Sequence, residues 1–198
     1  GKNSIAVKFD LATELRNDLA RVEIADRGSA GSVVLIDERW RRRPVGLVSG
    51  QTVDTAQPLL SDLFYLDRAL APYAELHHGK IGDLVRSGLS VLVLADVGQI
   101  VADDKTAVSE WVARGGVLIR FAGPKLATQS DELIPGKLRT GGRLLGSAMA
   151  WEEPQRLSPD WPEDSPFAGL AMAPDVTVTR QVLTEPGAGT DIRTWAQL

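Results

Sequence analysis

The spacing of hydrophobic positions divides the chain near residue 45. Before that point, apolar and polar residues alternate over residues 5–9, where Ile5, Val7 and Phe9 would share one strand face, and over residues 22–24. Residues 33–36 form a continuous apolar run. Alternation with a period of two, interrupted by glycines, is typical of antiparallel strands. Because three short strands are few for a free-standing sheet, we interpret residues 1–44 as the end of a preceding β domain or an extra edge on the domain after residue 44.

Beyond residue 45, short apolar runs alternate with segments whose apolar residues recur every three or four positions. The predicted strands are residues 45–50, 74–78, 90–96 and 116–123, and the predicted helices are residues 56–71, 81–88 and 103–114. Strand–helix alternation with short connections implies right-handed crossovers and a parallel sheet covered on both faces. We therefore predict an α/β domain over residues 45–198, with a three-layer arrangement around a parallel sheet.

The helix predicted at residues 103–114 carries detailed expectations. Asp103 is placed to cap its start, and Gly115 is placed to end it. Its buried face would hold Val108, Trp111 and Val112.

The pattern weakens after Pro124. Residues 144–151 and 176–183 are predicted strands. Residues 151–166 contain four prolines, five acidic residues and two tryptophans, which predicts a long surface loop. This loop is the best candidate for an interaction surface, with Trp161 facing a partner, although a loop packed on itself is the default expectation.

Composition removes several kinds of chemistry. The chain has no cysteine, which excludes disulfides, cysteine-based zinc sites, iron–sulfur clusters and a thiol nucleophile. A net charge of −4 argues against a general nucleic-acid binder. No apolar run approaches the roughly 18 residues that a membrane span needs. We expect no cofactor and no membrane span in this segment, and we expect it to be a piece of a longer protein.

The carboxyl ends of the predicted strands are the expected place for a ligand, because parallel α/β sheets bind ligands there. We expect these residues to form one rim. The candidate residues are Ser49, Gly50, His77, His78, Asp96, Gly98, Gln99, Ala122 and Gly123.

The rim lacks the sequence motifs that would indicate a catalytic function. There is no phosphate-binding glycine loop of either common type. Ser49 has only half of a G-x-S-x-G elbow, so a Ser49–His–Asp96 hydrolase is a weak hypothesis. His77 and His78 point to opposite faces of a strand, so at most one of them could face a metal. We predict no catalytic residues and no metal site.

Four arginines lie just before the first parallel strand. They form either a solvated connector or a patch that binds the carboxylates or phosphates of an anion or a partner. The candidate partner-surface residues are Arg39, Arg41, Arg42, Arg43 and Trp161.

Residues 91–96 (VLVLAD) and 111–124 (WVARGGVLIRFAGP) resemble the class I glutamine-amidotransferase-like fold. In that superfamily a strand ends at an oxyanion loop, a helix leads to W-V-x-x-G-G, and the next strand ends at the nucleophile elbow. The resemblance implies a flavodoxin-like, three-layer α/β scaffold.

Over nearly all 198 residues, the chain resembles a segment of large bacterial inner-membrane proteins similar to aerotolerance-operon proteins, which also contain a von Willebrand factor A-like part. Residues 15–21, 37–48 and 165–170 carry this resemblance. It implies partners among the other domains of the parent protein and among proteins at the membrane. It also implies tethering to the inner membrane, with the periplasmic side favoured.

The amidotransferase reaction does not carry over to this chain. The nucleophilic cysteine of the superfamily would fall near residues 121–123, which are Phe, Ala and Gly, and no histidine follows His78. None of these side chains can attack a carbonyl. We therefore predict a non-catalytic interaction or assembly module. The alternatives are a small-ligand sensor that uses the rim or a serine-dependent hydrolase.

Overall fold

The computed structural model describes residues 5–37, 40–51, 61–139, 148–158, 160–185 and 192–196. These residues form a mixed α/β fold with one four-stranded parallel sheet and two small antiparallel sheets. The elements are α1 (Thr13–Asn17), β1 (Arg21–Glu23), a 3₁₀ turn (Ala30–Ser32), β2 (Val33–Leu35), β3 (Arg43–Ser49), α2 (Phe64–Leu70), β4 (Ala74–His78), α3 (Ile81–Arg86), β5 (Val91–Ala95), α4 (Ala102–Ala113), β6 (Val117–Phe121), α5 (Pro124–Thr128), β7 (Ala148–Gln155) and β8 (Val178–Val182). The prediction of an α/β fold with a parallel sheet is confirmed.

The parallel sheet has the strand order β4–β3–β5–β6, and all four strands coincide with predicted ones. Rows of residues run straight across it, so that Val45 lies beside Val91 and Val91 beside Val117. From the central strand β3, the chain passes first to β4 on one side of β3. It then crosses to β5 on the other side of β3 and continues outward to β6. In open α/β sheets, ligands bind at the carboxyl ends of the strands beside such a reversal, which lies here between β3 and β5.

Two apolar clusters bury the central strands from opposite faces. On one face, Leu92 and Leu94 pack with Val108 and Trp111 of α4 and with residues of α3. On the other face, residues of β3 and β5 pack with Leu63 and with the partly buried leucines of α2. Burial on both faces explains why β5 is an uninterrupted apolar run.

Strand β6 departs from the expectation of a sheet covered on both faces. Leu118 packs against the cluster formed with α3 and α4. Val117, Ile119 and Phe121 point to the other face and are 41% to 50% exposed. The prediction of a buried strand is therefore wrong for this face. The reason is that β6 is an edge strand and α2 lies over the opposite half of the sheet.

Helix α4 is confirmed, with two corrections. It begins at Ala102 after Val101 and has no side-chain cap, so Asp103 is not the N-cap. Asp103 instead lies in the first turn, where a negative charge complements the helix dipole. Val112 is 39% exposed and is not part of the buried face. Gly115 ends the helix as predicted, with a φ of 100°.

The N-terminal region contains two of the three predicted strands. β1 and β2 pair in antiparallel fashion, with Val22 beside Val34. Residues 5–9 form no strand, so that prediction is wrong. Their alternation supplies a strand-like pattern, but no neighbouring segment among the described residues pairs with them.

The C-terminal region contains β7 and β8 near the strands predicted at residues 144–151 and 176–183, and the structure pairs them as a small antiparallel sheet. Strand β7 continues to Gln155, so the surface loop begins later than expected. Residues 144–147 of the predicted strand and residues 56–60 of the predicted first helix lie outside the described residues.

Candidate functional site at the strand ends

Three strand ends meet at the predicted rim. Ser49 lies beside Ala95, and Ala95 lies beside Phe121. The ladder continues one step further, because the Gly50 N–H donates to the Ala95 carbonyl at 2.8 Å and the Asp96 N–H donates to the Phe121 carbonyl at 3.0 Å. The register therefore brings Ser49, Gly50, Asp96, Ala122 and Gly123 together at one edge of the sheet.

Asp96 has the most constrained position on the rim. Its backbone has a φ of 46°, a left-handed conformation that aspartate tolerates better than most residues. Its Oδ1 accepts the backbone N–H of Leu126 at 3.0 Å, and its Oδ2 accepts that of Lys125 at 3.3 Å. The Asp96 carboxylate thus satisfies two N–H groups at the start of α5, which would otherwise be free to meet a ligand.

Two glycines allow Asp96 to occupy this position. A Cβ atom on Gly123 would lie 2.5 Å from the Asp96 Cγ. A Cβ atom on Gly50 would overlap the Asp96 carbonyl group, with the Val97 nitrogen 2.9 Å away. Both glycines are therefore explained by close approach to Asp96, without a ligand.

A second set of polar groups lies next to Asp96. The Ser49 Oγ accepts the Gln51 N–H at 3.0 Å, and the Gln51 side-chain amide donates to the Asp62 Oδ1 at 3.3 Å. The Lys125 ammonium donates to the Gly50 carbonyl. Ser49, Asp62, Asp96 and Lys125 therefore form a connected polar cluster, which we call the rim cluster.

The surroundings of Asp62 raise its pKa. Burial raises the pKa of Asp62 above its ordinary value of 3.8, and the nearby charge of Asp96 raises it further. The Lys125 cation and a hydrogen bond with the Ser49 hydroxyl offset part of this increase in pKa. The Asp62 Oδ2 is buried and accepts no hydrogen bond in the described structure.

Sequence reasoning missed Asp62 and Lys125. Lys125 could have been predicted from the sequence, because it closely follows Ala122 and Gly123, the candidate residues at the end of β6. Asp62 was inside a predicted helix, where a single carboxylate carries no distinguishing signal.

The two histidines lie away from the rim cluster. His77 pairs with Gly46 and His78 with Leu47, which lie three and two residues before Ser49 on β3, or about 10 and 7 Å along the strand. His77 contacts Glu75 at 3.0 Å, and His78 contacts Asp67 at 2.9 Å. Ser49 therefore has no histidine partner to act as a base, and the hydrolase arrangement considered from the sequence is not assembled.

Gln99 is exposed and lines a separate surface groove of about 740 Å³. Beneath that groove lies a buried ion pair that sequence reasoning also missed. Arg120 and Asp131 are 2.6 Å apart, with side-chain exposures of 5% and 2%. Arg120 also donates to the carbonyls of Val97 and Gly98, and Asp131 accepts the N–H groups of residues 100 and 133. This network fixes the loop after β5 to β6 and to the segment after α5.

Within the arginine cluster predicted as a partner surface, Arg42 has a structural role. Arg39 lies outside the described residues. The backbone of Arg42 exchanges two hydrogen bonds with the Asn17 side chain, at 2.9 and 3.0 Å, which fixes α1 to the start of β3. Arg41 and Arg43 are exposed, and Arg41 takes part in a further interaction.

Trp161 is held within its own loop. Its indole N–H donates to the Leu170 carbonyl at 3.0 Å, and its ring lies 5.5 Å from that of Phe167. These contacts match the default expectation of a loop that packs on itself.

Within the described ranges, no group of three or more acidic, histidine or cysteine side chains is arranged to hold a metal ion. No helix in the same ranges is long and apolar enough to cross a bilayer. Comparison with protein families, with curated proteins and with solved structures finds no match for this chain.

Proposed function

We propose that this chain is a non-catalytic interaction or assembly module built on a flavodoxin-like, class I glutamine-amidotransferase-like scaffold. The strand order β4–β3–β5–β6 supports the scaffold, because second–first–third–fourth is the order in which flavodoxin-like sheets begin. The parent would be an inner-membrane protein that carries this domain on its periplasmic side, and its other domains would be the first partners.

The observation that carries the proposal is the occupation of the rim by the protein itself. The Asp96 carboxylate accepts the amides that open α5, and the Lys125 ammonium is engaged by the Gly50 carbonyl. In an amidotransferase-like enzyme, the same strand ends must leave donors free for the reacting carbonyl. Here the resemblance would put Ala122 and Gly123 at the elbow, and three nearby donors, the N–H groups of Lys125 and Leu126 and the Lys125 ammonium, are already bonded within the protein.

Activity assays test the non-catalytic proposal directly. Ammonia release from glutamine and hydrolysis of a p-nitrophenyl ester would be measured for the wild type and for Ser49→Ala. We expect no difference between them and no rate above the buffer blank. An ester hydrolysis rate that disappears in Ser49→Ala would contradict the proposal and restore the hydrolase hypothesis.

A small-ligand sensor at the same rim is a second candidate, and Asp62 favours it. This carboxylate has a raised pKa, lies near the Lys125 cation, and has one buried oxygen that accepts no hydrogen bond from the described residues. Groups whose pKa is displaced in a crevice are candidates for ligand contact. Thermal-shift and calorimetric titrations with amino acids, nucleotides and dicarboxylates would test it, with Asp62→Asn as the variant that must lose the signal and Asp83→Asn as the exposed control.

A further inference from the structure

No described strand pairs with the outer edge of β6. Val117 donates its N–H to the Ser90 carbonyl, and the Phe121 carbonyl accepts the Asp96 N–H, so the odd-numbered residues of β6 bond to β5. The backbone groups of Leu118 and Arg120 therefore point away from the sheet. None of the described segments pairs with them. An open edge of this kind is a template for one more strand.

The same edge exposes an apolar stripe. Val117, Ile119 and Phe121 lie on one face of β6 and keep 41% to 50% of their surface in solvent. A strand added beside β6 would extend the sheet, and apolar residues at alternate positions of that strand would continue the stripe. The edge thus specifies the pattern of its partner: about five residues with apolar side chains at positions one, three and five.

Residues 5–9 of this chain have that pattern. Ile5, Val7 and Phe9 alternate with Ala6 and Lys8, and the three large side chains are 58% to 89% exposed. The segment forms no strand and has no backbone partner in the described structure. Residues 5–9 therefore have the sequence pattern of a strand but no pairing strand among the described residues, and the outer edge of β6 likewise has none.

The segment is attached to the body of the domain through α1. Asn17 of α1 is bonded to Arg42, immediately before β3. Residues 5–9 therefore leave the domain near the amino-terminal end of the parallel strands, and their exposure leaves them free to reach a neighbouring molecule.

We propose that residues 5–9 of one copy of this chain add as a strand to the outer edge of β6 in a second copy. Reciprocal exchange gives a two-fold dimer in which both open edges are closed and both apolar stripes are covered. The backbone hydrogen bonds supply affinity, and the alternating side chains set the register. This inference rests on the proposed role as an interaction module and adds the partner, a second copy.

Cysteine cross-linking tests the contact without background, because the chain has no cysteine. Val7→Cys and Ile119→Cys would be prepared separately, mixed under mild oxidation and analysed on non-reducing gels. We expect a disulfide-linked heterodimer from this mixture. Val7→Cys mixed with Tyr73→Cys is the control, since Tyr73 is 78% exposed beside the opposite edge strand. Equal cross-linking in both mixtures would overturn the proposal.

The oligomeric state provides the second measurement. We expect sedimentation equilibrium to give a dimer whose dissociation constant rises at least about tenfold in Ile119→Lys and in Val7→Lys, since single core residues carry such shares of binding energy. Tyr73→Lys should leave it unchanged. The exchange would be refuted if the chain were still a monomer at a concentration on the order of 10⁻⁴ M. It would also be refuted by a dimer whose dissociation constant does not change in either lysine variant.

The intramolecular alternative has its own signature. In the double variant Val7→Cys/Ile119→Cys, a disulfide within one chain at low protein concentration would mean that the segment adds to its own β6, which also overturns the proposal. These outcomes are separable from those of the proposed function. Finding a monomer would contradict the strand exchange but not the proposal of a non-catalytic module. Finding Ser49-dependent hydrolysis would contradict the non-catalytic proposal but not the dimer.

Discussion

A Cβ atom on Gly123 would lie 2.5 Å from the Cγ of Asp96 and 2.7 and 2.8 Å from its two carboxylate oxygens. That carboxylate accepts the Leu126 N–H at 3.0 Å and thereby fixes the start of α5. A side chain at position 123 must therefore displace the Asp96 carboxylate. The conformations of the strand ends of β5 and β6 therefore depend on each other at this point.

Gly123→Ala is expected to lower the free energy of unfolding by about 1–3 kcal/mol, because the added methyl group overlaps Asp96 and disturbs the start of α5. Urea denaturation followed by circular dichroism measures it. Gly28→Ala is the matched control, since nothing lies within 4 Å of a Cβ atom there. Its expected change is within about 0.5 kcal/mol. Equal losses in both variants would show that the Asp96 contact is not the cause.

The raised pKa of Asp62 predicts a pH dependence with a definite sign. The folded state holds the Asp62 proton more tightly than the unfolded chain, so the carboxyl group favours folding below its ordinary pKa of 3.8. This contribution is lost as the pH rises from 3.8 through the raised folded pKa. Relative to Asp62→Asn, the wild type should lose stability across that window, as measured by urea unfolding from about pH 3 to about pH 7.

The neighbours of Asp62 allow this origin to be checked by carboxyl-carbon NMR titration. Lys125→Met should raise the Asp62 pKa further, because it removes a cation that lowers it. Asp96→Asn should lower the Asp62 pKa, because it removes a nearby negative charge. Shifts of the same sign in both variants would contradict the assigned causes.

The buried pair of Arg120 and Asp131 should be among the most sensitive points of the fold. Asp131→Ala leaves the Arg120 guanidinium buried without its counter-charge and removes the acceptor of two backbone N–H groups. Breaking a buried pair costs about 3–5 kcal/mol. We expect that loss in urea unfolding, or failure of the variant to fold.

The adjacent residue provides the control. Glu132 pairs with Lys105 at 2.7 Å, but its side chain is 87% exposed. Glu132→Ala should change the free energy of unfolding by at most about 1 kcal/mol, as for other surface pairs. If Asp131→Ala were no more damaging than Glu132→Ala, the network would not stabilise the loops that it connects.

The parallel sheet was predictable because its strands are short apolar runs separated by helical periodicity. The pattern could not predict which faces of each strand are buried by packed helices. Apart from Arg120, residues 117–121 are as apolar as a central strand, but the exposure of Ile119 depends on the strand order, which no local pattern encodes. Residues 5–9 likewise specify a strand face and leave its partner unspecified.

The site was predictable to the extent that strand ends define it. That rule selected Ser49, Gly50, Asp96 and Gly123 correctly as neighbours. It misjudged His77, because β4 ends at the level of Leu47 and a register cannot be read from composition. It could not find Asp62, which reaches the rim from a segment before α2, or the pairing of Arg120 with Asp131 through a loop.

The two glycines of the W-V-x-x-G-G sequence have separable roles. Gly115 has a φ of 100° and nothing within 4 Å of a Cβ atom, whereas a Cβ atom on Gly116 would overlap the ring of Trp111. The Trp111 indole is fixed from its other side, because its N–H donates to the Leu89 carbonyl at 3.1 Å. Gly115→Ala should therefore cost about 1–2 kcal/mol from backbone strain alone.

Gly116→Ala should cost more, about 2–4 kcal/mol, because Trp111 must leave its place in the core or the strand must shift. Urea unfolding of the two variants gives the comparison, and near-ultraviolet circular dichroism reports the environment of the indole. Only Gly116→Ala should change that spectrum in the folded state. An unchanged spectrum, with a smaller loss than in Gly115→Ala, would mean that the second glycine is kept for a reason other than the packing of Trp111.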